Sequence, residues 1–173
     1  MTADRARAFA ALLLLCGAAA LAAEAPTSPT PTHLPALDAR DLTGRPVRSV
    51  YHGGKHTLLS FYFSSCVPCI QEVPALNAYR EAHPELNYLA VTFDPAFDAR
   101  RFVSERKLNW PVVADAGRFL RAAGVRSFPA YMLVAPDGRI LGRGAGLSLD
   151  VGEVTPGLQS LEKFVEERLG TAQ

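Results

Sequence analysis

An aromatic run that ends in two cysteines sets the tightest limit on this chain. Phe61-Tyr62-Phe63-Ser64-Ser65-Cys66-Val67-Pro68-Cys69 reads as a strand stopping at a turn, with a helix that begins inside the Cys-x-x-Cys pair. One turn at a helix start can bring two sulfurs close enough to bridge. The unpaired backbone N–H groups there favour a thiolate. Three chemistries use such a pair: thiol-disulfide exchange, zinc binding and a structural disulfide. Placement directly after a strand in a single α/β domain favours the first.

The N-terminus bears on which chemistry applies. Arg5 and Arg7 precede an apolar run from about Phe9 to Ala23, then Glu24 and a Pro-rich stretch. This is the pattern of a secretory signal peptide, with Ala20-Leu21-Ala22 as the cleavage site, and it assigns residues 1–22 to the signal. The run is short for a bilayer span, so a retained membrane anchor is the weaker reading. Cys16 would leave with the signal, and Leu15 before it fits a lipoprotein site poorly. Export to the periplasm then leaves Cys66 and Cys69 as one pair in an oxidising compartment. A structural bridge is a serious competitor there. Yet a bridge across two residues closes a very small loop and constrains the unfolded chain little. A reversible role accounts better for the spacing. The full chain carries a net charge of +1 with no long basic run, which excludes a nucleic-acid footprint.

Residues 23–36 contain Pro26, Pro29, Pro31 and Pro35 and read as a flexible leader. Residues 37–170 form the domain. A hairpin turning at Thr43-Gly44 comes first, and His52-Gly53-Gly54-Lys55 is a second turn. Thr57 to Phe63 is apolar without alternation, as in a central strand covered on both faces. Cys66 to about Ala82 is a helix with Pro74 expected to kink it. Tyr88–Phe93 is a strand. Asp94-Pro95 is expected to cap the next helix, and Asp115 a short one near Phe119. Tyr131–Val134, Pro136-Asp137-Gly138 and Arg139–Arg143 form a hairpin. Leu158, Leu161, Phe164, Val165 and Leu169 mark a final amphipathic helix whose charged residues, Arg168 among them, mostly face water. The order implies an α/β fold with a mixed parallel and antiparallel sheet, helices on both faces and an N-terminal hairpin extension.

These residues resemble the thioredoxin superfamily, specifically its exported TlpA/ResA-like branch. One motif is the aromatic strand, Cys66-Val67-Pro68-Cys69 and then Glu72-Val73-Pro74-Ala75-Leu76. The other is Gly124-Val125-Arg126-Ser127-Phe128-Pro129, followed by the Tyr131 strand and Pro136-Asp137-Gly138. The resemblance implies a thioredoxin-like domain over roughly residues 35–170 with Pro129 in cis beside the disulfide. There are departures. Ser65 and Tyr62 stand where the branch usually has Trp. Ser60 stands where thioredoxins carry a buried Asp, and Ala130 replaces the usual Thr after the cis-proline.

Roles follow as expectations. Cys66 is the nucleophile, and Cys69, expected to be the more buried, resolves the mixed disulfide. Pro68 restricts the loop between the sulfurs. The Phe128 carbonyl accepts a hydrogen bond from substrate backbone. Glu72 either assists proton transfer from Cys69 or is a solvated helix acid. Trp110 is packing or a substrate lip. No cofactor or resident metal is expected. The implied activity is a periplasmic protein-disulfide oxidoreductase, reducing specific partners such as apocytochrome c or copper-delivery proteins, with electrons from a membrane thiol carrier. Two other readings stand beside it: a copper-handling module for oxidase assembly, since Cu(I) accepts two soft ligands, and an adaptor with a structural disulfide. A peroxidase ranks below these, because the usual surroundings of a peroxidatic cysteine are missing.

Overall fold

A computed structural model describes residues 30–48, 54–149 and 155–170. The proposed signal segment and half of the 52–55 turn, His52 and Gly53, lie outside the described residues. The first two strands form a hairpin, β1 (Asp38–Arg40) and β2 (Pro46–Arg48), paired antiparallel. Asp41 holds its turn together. Its carboxylate accepts from the Thr43 N–H and Oγ and from the Arg45 N–H and Nε. Burial alone would raise this carboxyl, but those donors together hold it below the usual range.

The main sheet follows. β3 (Thr57–Tyr62) leads into α1 (Val67–Ala82), β4 (Asn87–Thr92), α2 (Ala96–Arg106), β5 (Val112–Val113), α3 (Gly117–Ala122), β6 (Ala130–Val134), β7 (Ile140–Ala145) and α4 (Leu158–Gly170). The strand order is β5-β4-β3-β6-β7. β3 is parallel to β4 and antiparallel to β6. The fold is the expected mixed thioredoxin-like sheet with an N-terminal hairpin.

Every residue of β3 is buried, which explains its lack of alternation. Leu58 and Tyr62 face one core with Val73, Leu76 and Tyr79 of α1, Phe102 of α2, and Leu161 and Val165 of α4. Leu59 and Phe61 face the other, with Phe119 and Leu120 of α3 and Leu34 and Leu37 ahead of the hairpin. Helices thus cover both faces. α1 continues through Pro74. Pro31 to Leu34, expected to belong to the flexible leader, lie against the sheet instead. The Leu34 N–H donates to the Gly138 carbonyl, Ile140 donates to Thr32, and Arg143 donates to the Pro31 carbonyl.

The two expected aspartate caps are corrected. α2 starts at Ala96 with Pro95 as its N-cap residue, not Asp94. The Asp94 carboxylate turns back to Ser64, and Asp115 reaches the start of α2, accepting from the Ala96 N–H at 3.3 Å. α3 follows Ala116 without a side-chain cap. Arg168 does not simply face water. Its guanidinium lies 3.8 Å over the Phe164 ring.

α4 approaches β7 closely because two of its positions lack side chains. A Cβ at Gly144 would sit 2.7 and 2.9 Å from Phe164 ring atoms. Gly144→Ala is therefore expected to destabilise the domain by about 1–3 kcal/mol through overpacking. A lower urea midpoint at unchanged slope would register it.

Candidate active site

The C-terminal ends of β3 and β4 lie side by side, where open α/β sheets gather their functional loops. Cys66 sits at that edge as the N-cap of α1, with extended backbone (φ −75°, ψ 104°). Its N–H donates to the Phe63 carbonyl at 3.0 Å, and its carbonyl accepts from Ile70 at 3.1 Å. Cys66 and Cys69 are disulfide-bonded, with Cα atoms 5.2 Å apart. The Cys69 N–H donates to Cys66 Sγ at 3.2 Å. A sulfur here thus occupies the place of a capping oxygen. Pro68 falls within the first helical turn, where its missing N–H removes no intrahelical bond.

Cys69 is not the more buried of the pair. Both cysteines are 4% exposed. They differ in what surrounds them. Cys66 is flanked by exposed Ser65 and Val67, whereas Cys69 lies inside the first turn of α1. A second loop arrives from β6. Ala130 pairs with Phe61, which sets Pro129 level with the end of β3. The Phe128–Pro129 bond is cis, as the resemblance implied. The Pro129 carbonyl accepts from the Gly146 N–H at 3.2 Å.

Glu72 is not a solvated acid. It is 2% exposed. The Tyr131 hydroxyl donates to Oε2, and the Leu147 N–H donates to Oε1 at 2.5 Å. Burial pushes its carboxyl above the ordinary value, and these two hydrogen bonds pull it part of the way back. One carboxylate therefore ties the cysteine helix to β6, two residues past Pro129, and to the segment after β7.

Sequence reasoning named Phe128 for its carbonyl alone and passed over other features at this edge. Phe63, Phe93 and Phe128 form an aromatic cluster, with ring centroids 5.5–5.7 Å apart in all three pairs. Among the described residues, the exposed large apolar side chains are Val67 (63%), Phe93 (46%) and Phe97 (75%). The signal was present in part: Phe93 extends an apolar strand past its last paired residue. Asp94 accepts from both the Ser64 N–H and Oγ, at 2.5 and 2.6 Å, and pins the turn that delivers Cys66. Trp110 is no lip. It is buried, and its indole N–H donates to the Leu76 carbonyl at 2.9 Å.

Comparison with known proteins agrees with this arrangement. Residues 31–142 match the AhpC/TSA family. ResA, a thiol-disulfide oxidoreductase of Halalkalibacterium halodurans, is 30% identical over 132 residues, covering 73% of this chain and 69% of its own. The chain belongs to the ResA-like thiol-disulfide oxidoreductases of the thioredoxin superfamily. Sporulation thiol-disulfide oxidoreductase A of Bacillus subtilis is 25% identical over 131 residues, 72% of this chain and 76% of its own. The thioredoxin domain of a Bacteroides vulgatus thiol-disulfide oxidoreductase superposes with a TM-score of 0.64 at 26% identity, covering 80% of this chain and 99% of that domain.

In this ResA-like oxidoreductase a cavity of about 480 Å³ is found away from the disulfide. It lies beneath the hairpin among Asp41, Arg45, Arg80 and Tyr88, by the opposite, N-terminal ends of β3 and β4. Thiol-disulfide exchange at the cysteines needs no deep pocket, only a second sulfur within reach. Among the described residues there is no cluster of three or more His, Cys, Asp or Glu side chains able to hold a metal ion. No described helix is long and apolar enough to cross a membrane.

Proposed function

We propose that this protein works outside the cytoplasm as a reductant of disulfides in specific protein partners. Apocytochrome c and copper-delivery proteins are the partner classes. The observation that carries the reading is a Cys66–Cys69 disulfide at a helix start, with exposed Val67 between the two cysteines and exposed Phe93 packed on Phe128 ahead of the cis-proline.

In the reduced protein the Cys66 thiolate attacks one sulfur of the partner's disulfide. A bond forms between Cys66 and that sulfur, and the other partner sulfur leaves as a thiolate. Cys69 then gives up its proton, with Glu72 as acceptor, and attacks Cys66 Sγ. The intermolecular bond breaks, and the second partner sulfur leaves. Two electrons have passed to the partner, and the pair is oxidised. A membrane thiol carrier returns it to the dithiol. Helix N-terminal N–H groups stabilise the Cys66 thiolate. The Phe128 carbonyl offers an acceptor to extended partner backbone, and the aromatic cluster suits an apolar residue next to the partner's cysteine. Pro68 limits the motion of the loop between the sulfurs.

The test uses reduced Cys69→Ser protein and an oxidised Cys-x-x-Cys-His peptide. The expected result is a stable mixed disulfide through Cys66 that dissolves in excess dithiol. The absence of any such adduct, with the domain folded, would sink the reading. Retention of one Cu(I) per chain against competing thiols would favour metal handling instead.

A further inference from the structure

The resolving step has a difficulty that the wall behind the disulfide addresses. Cys69 must lose a proton where almost no solvent reaches, since it is 4% exposed and Glu72 is 2% exposed. A small enclosed cavity lies there, lined by Ser60, Tyr62, Cys69 and Glu72 on its polar side and by Val73, Leu76, Phe102 and Leu108 on its apolar side. The space in which a water's centre can sit is about 10 Å³, roughly the room for one molecule.

Tyr62 contributes the second observation. Its side chain is buried at 3% exposure on the last residue of β3, and its hydroxyl has no hydrogen-bond partner among the described residues. Burying such a group unmatched costs about 1–3 kcal/mol, so buried polar groups nearly always find a partner. The other polar groups near it are engaged. Tyr131 donates to Glu72 and is hydrogen-bonded to Ser60, and Glu72 also accepts from Leu147.

We propose that Tyr62 is a positioning residue for the resolving attack: its hydroxyl holds one water between Cys69 and Glu72 and donates toward the charge that forms on the Cys69 sulfur. The inference rests on the exchange reading above. The proton of the Cys69 thiol passes to the water, and a proton of that water passes to the Glu72 carboxylate. This leaves a thiolate, a neutral carboxyl and an unchanged water. The thiolate then attacks Cys66 Sγ as already described. Burial, with a smaller effect of the Asp94 carboxylate, holds the Tyr62 hydroxyl well above its ordinary value, so it stays a donor and never competes as a base. Glu72 on its own helix and Tyr62 on β3 line this cavity with Cys69, while Tyr131 on β6 bonds to Glu72 and the Asp94 charge after β4 acts on Tyr62. Where this chain has Tyr62 the family it resembles usually has Trp, so the device belongs to this chain's own sequence.

Tyr62→Phe removes one oxygen and keeps the ring against Phe102. In reduced full-length protein, the 13Cβ shift of Cys69 is followed against pH, and the decay of a mixed disulfide with the Cys-x-x-Cys-His peptide is timed at pH 7. The variant is expected to lower the Cys69 thiolate fraction at a given pH about threefold or more. It should slow decay by a similar factor and leave the first attack by Cys66 unchanged. Coincident titrations and decay rates would overturn the proposal, even if the variant is more stable. A crystal structure of the unmutated protein gives an independent check. An ordered water between Tyr62 Oη and Cys69 supports the proposal, and a dry cavity overturns it. The titration needs no partner. Loss of the exchange reading therefore shows as a wild type that never forms the adduct, and loss of this inference as an unaltered Cys69 in Tyr62→Phe.

Discussion

Cys66→Ser is expected to reduce turnover of an oxidised dithiol peptide by at least about a thousandfold, to the uncatalysed rate. A serine hydroxyl at this N-cap would suit the helix as well as the sulfur does, so the domain should fold. The loss would be chemical. A thiol near a helix N-terminus ionises close to neutral pH and is a strong nucleophile, whereas an alcohol there does neither. Cys69→Ser should behave differently. Its Cys66 still has the helix start, and its own N–H still points at Cys66 Sγ from 3.2 Å. It should complete one attack and then stall as the adduct. The burst of released peptide thiol checks this: one equivalent for Cys69→Ser, none for Cys66→Ser. A burst from Cys66→Ser instead would reverse the roles of the two sulfurs. Equal exposure of the cysteines makes that comparison necessary, because burial alone does not separate them. The helix position and the inner cavity do.

The features legible in the sequence were those whose cause is local. The unalternating β3 run, the cysteine pair at a strand end, the Asp137-Gly138 turn and the stripe on α4 each depend on neighbours a few residues away. What sequence reasoning misjudged depends on distant partners. Glu72 on its own helix is an ordinary polar position. It becomes a buried junction because Tyr131 and Leu147, 59 and 75 residues later, arrive beside it. Asp94 before Pro95 has the pattern of a cap, but Ser64, 30 residues earlier, offers two donors at once. Asp115 then serves α2 across 19 residues. Phe63, Phe93 and Phe128 come from three separate strand ends, so no window of sequence shows them as a cluster. Pro129 could be placed in cis only by resemblance, since an X-Pro bond is usually trans.

The buried carboxyl supplies the second large effect. Glu72→Leu is expected to destabilise the domain by about 2–4 kcal/mol, since it leaves the Leu147 N–H and the Tyr131 hydroxyl without their acceptor, and each such loss is worth about 1–3 kcal/mol. Glu72→Gln should lose less, because one amide oxygen can still accept. The two variants also separate packing from charge. Burial raises the folded-state value of Glu72 above 4.5, so on folding this group favours the protonated form. Between the unfolded value and the raised folded one, the native state binds more protons than the unfolded chain. Stability from this group is then greatest in acid and declines as pH rises through that window, levelling off above it. Glutamine cannot titrate. In urea denaturation from pH 4 to pH 8, Glu72→Gln should therefore gain on the wild type as pH increases. The opposite slope would mean that the donors from Tyr131 and Leu147 outweigh burial, and that the Glu72 carboxylate is a weaker acceptor for the proton of Cys69.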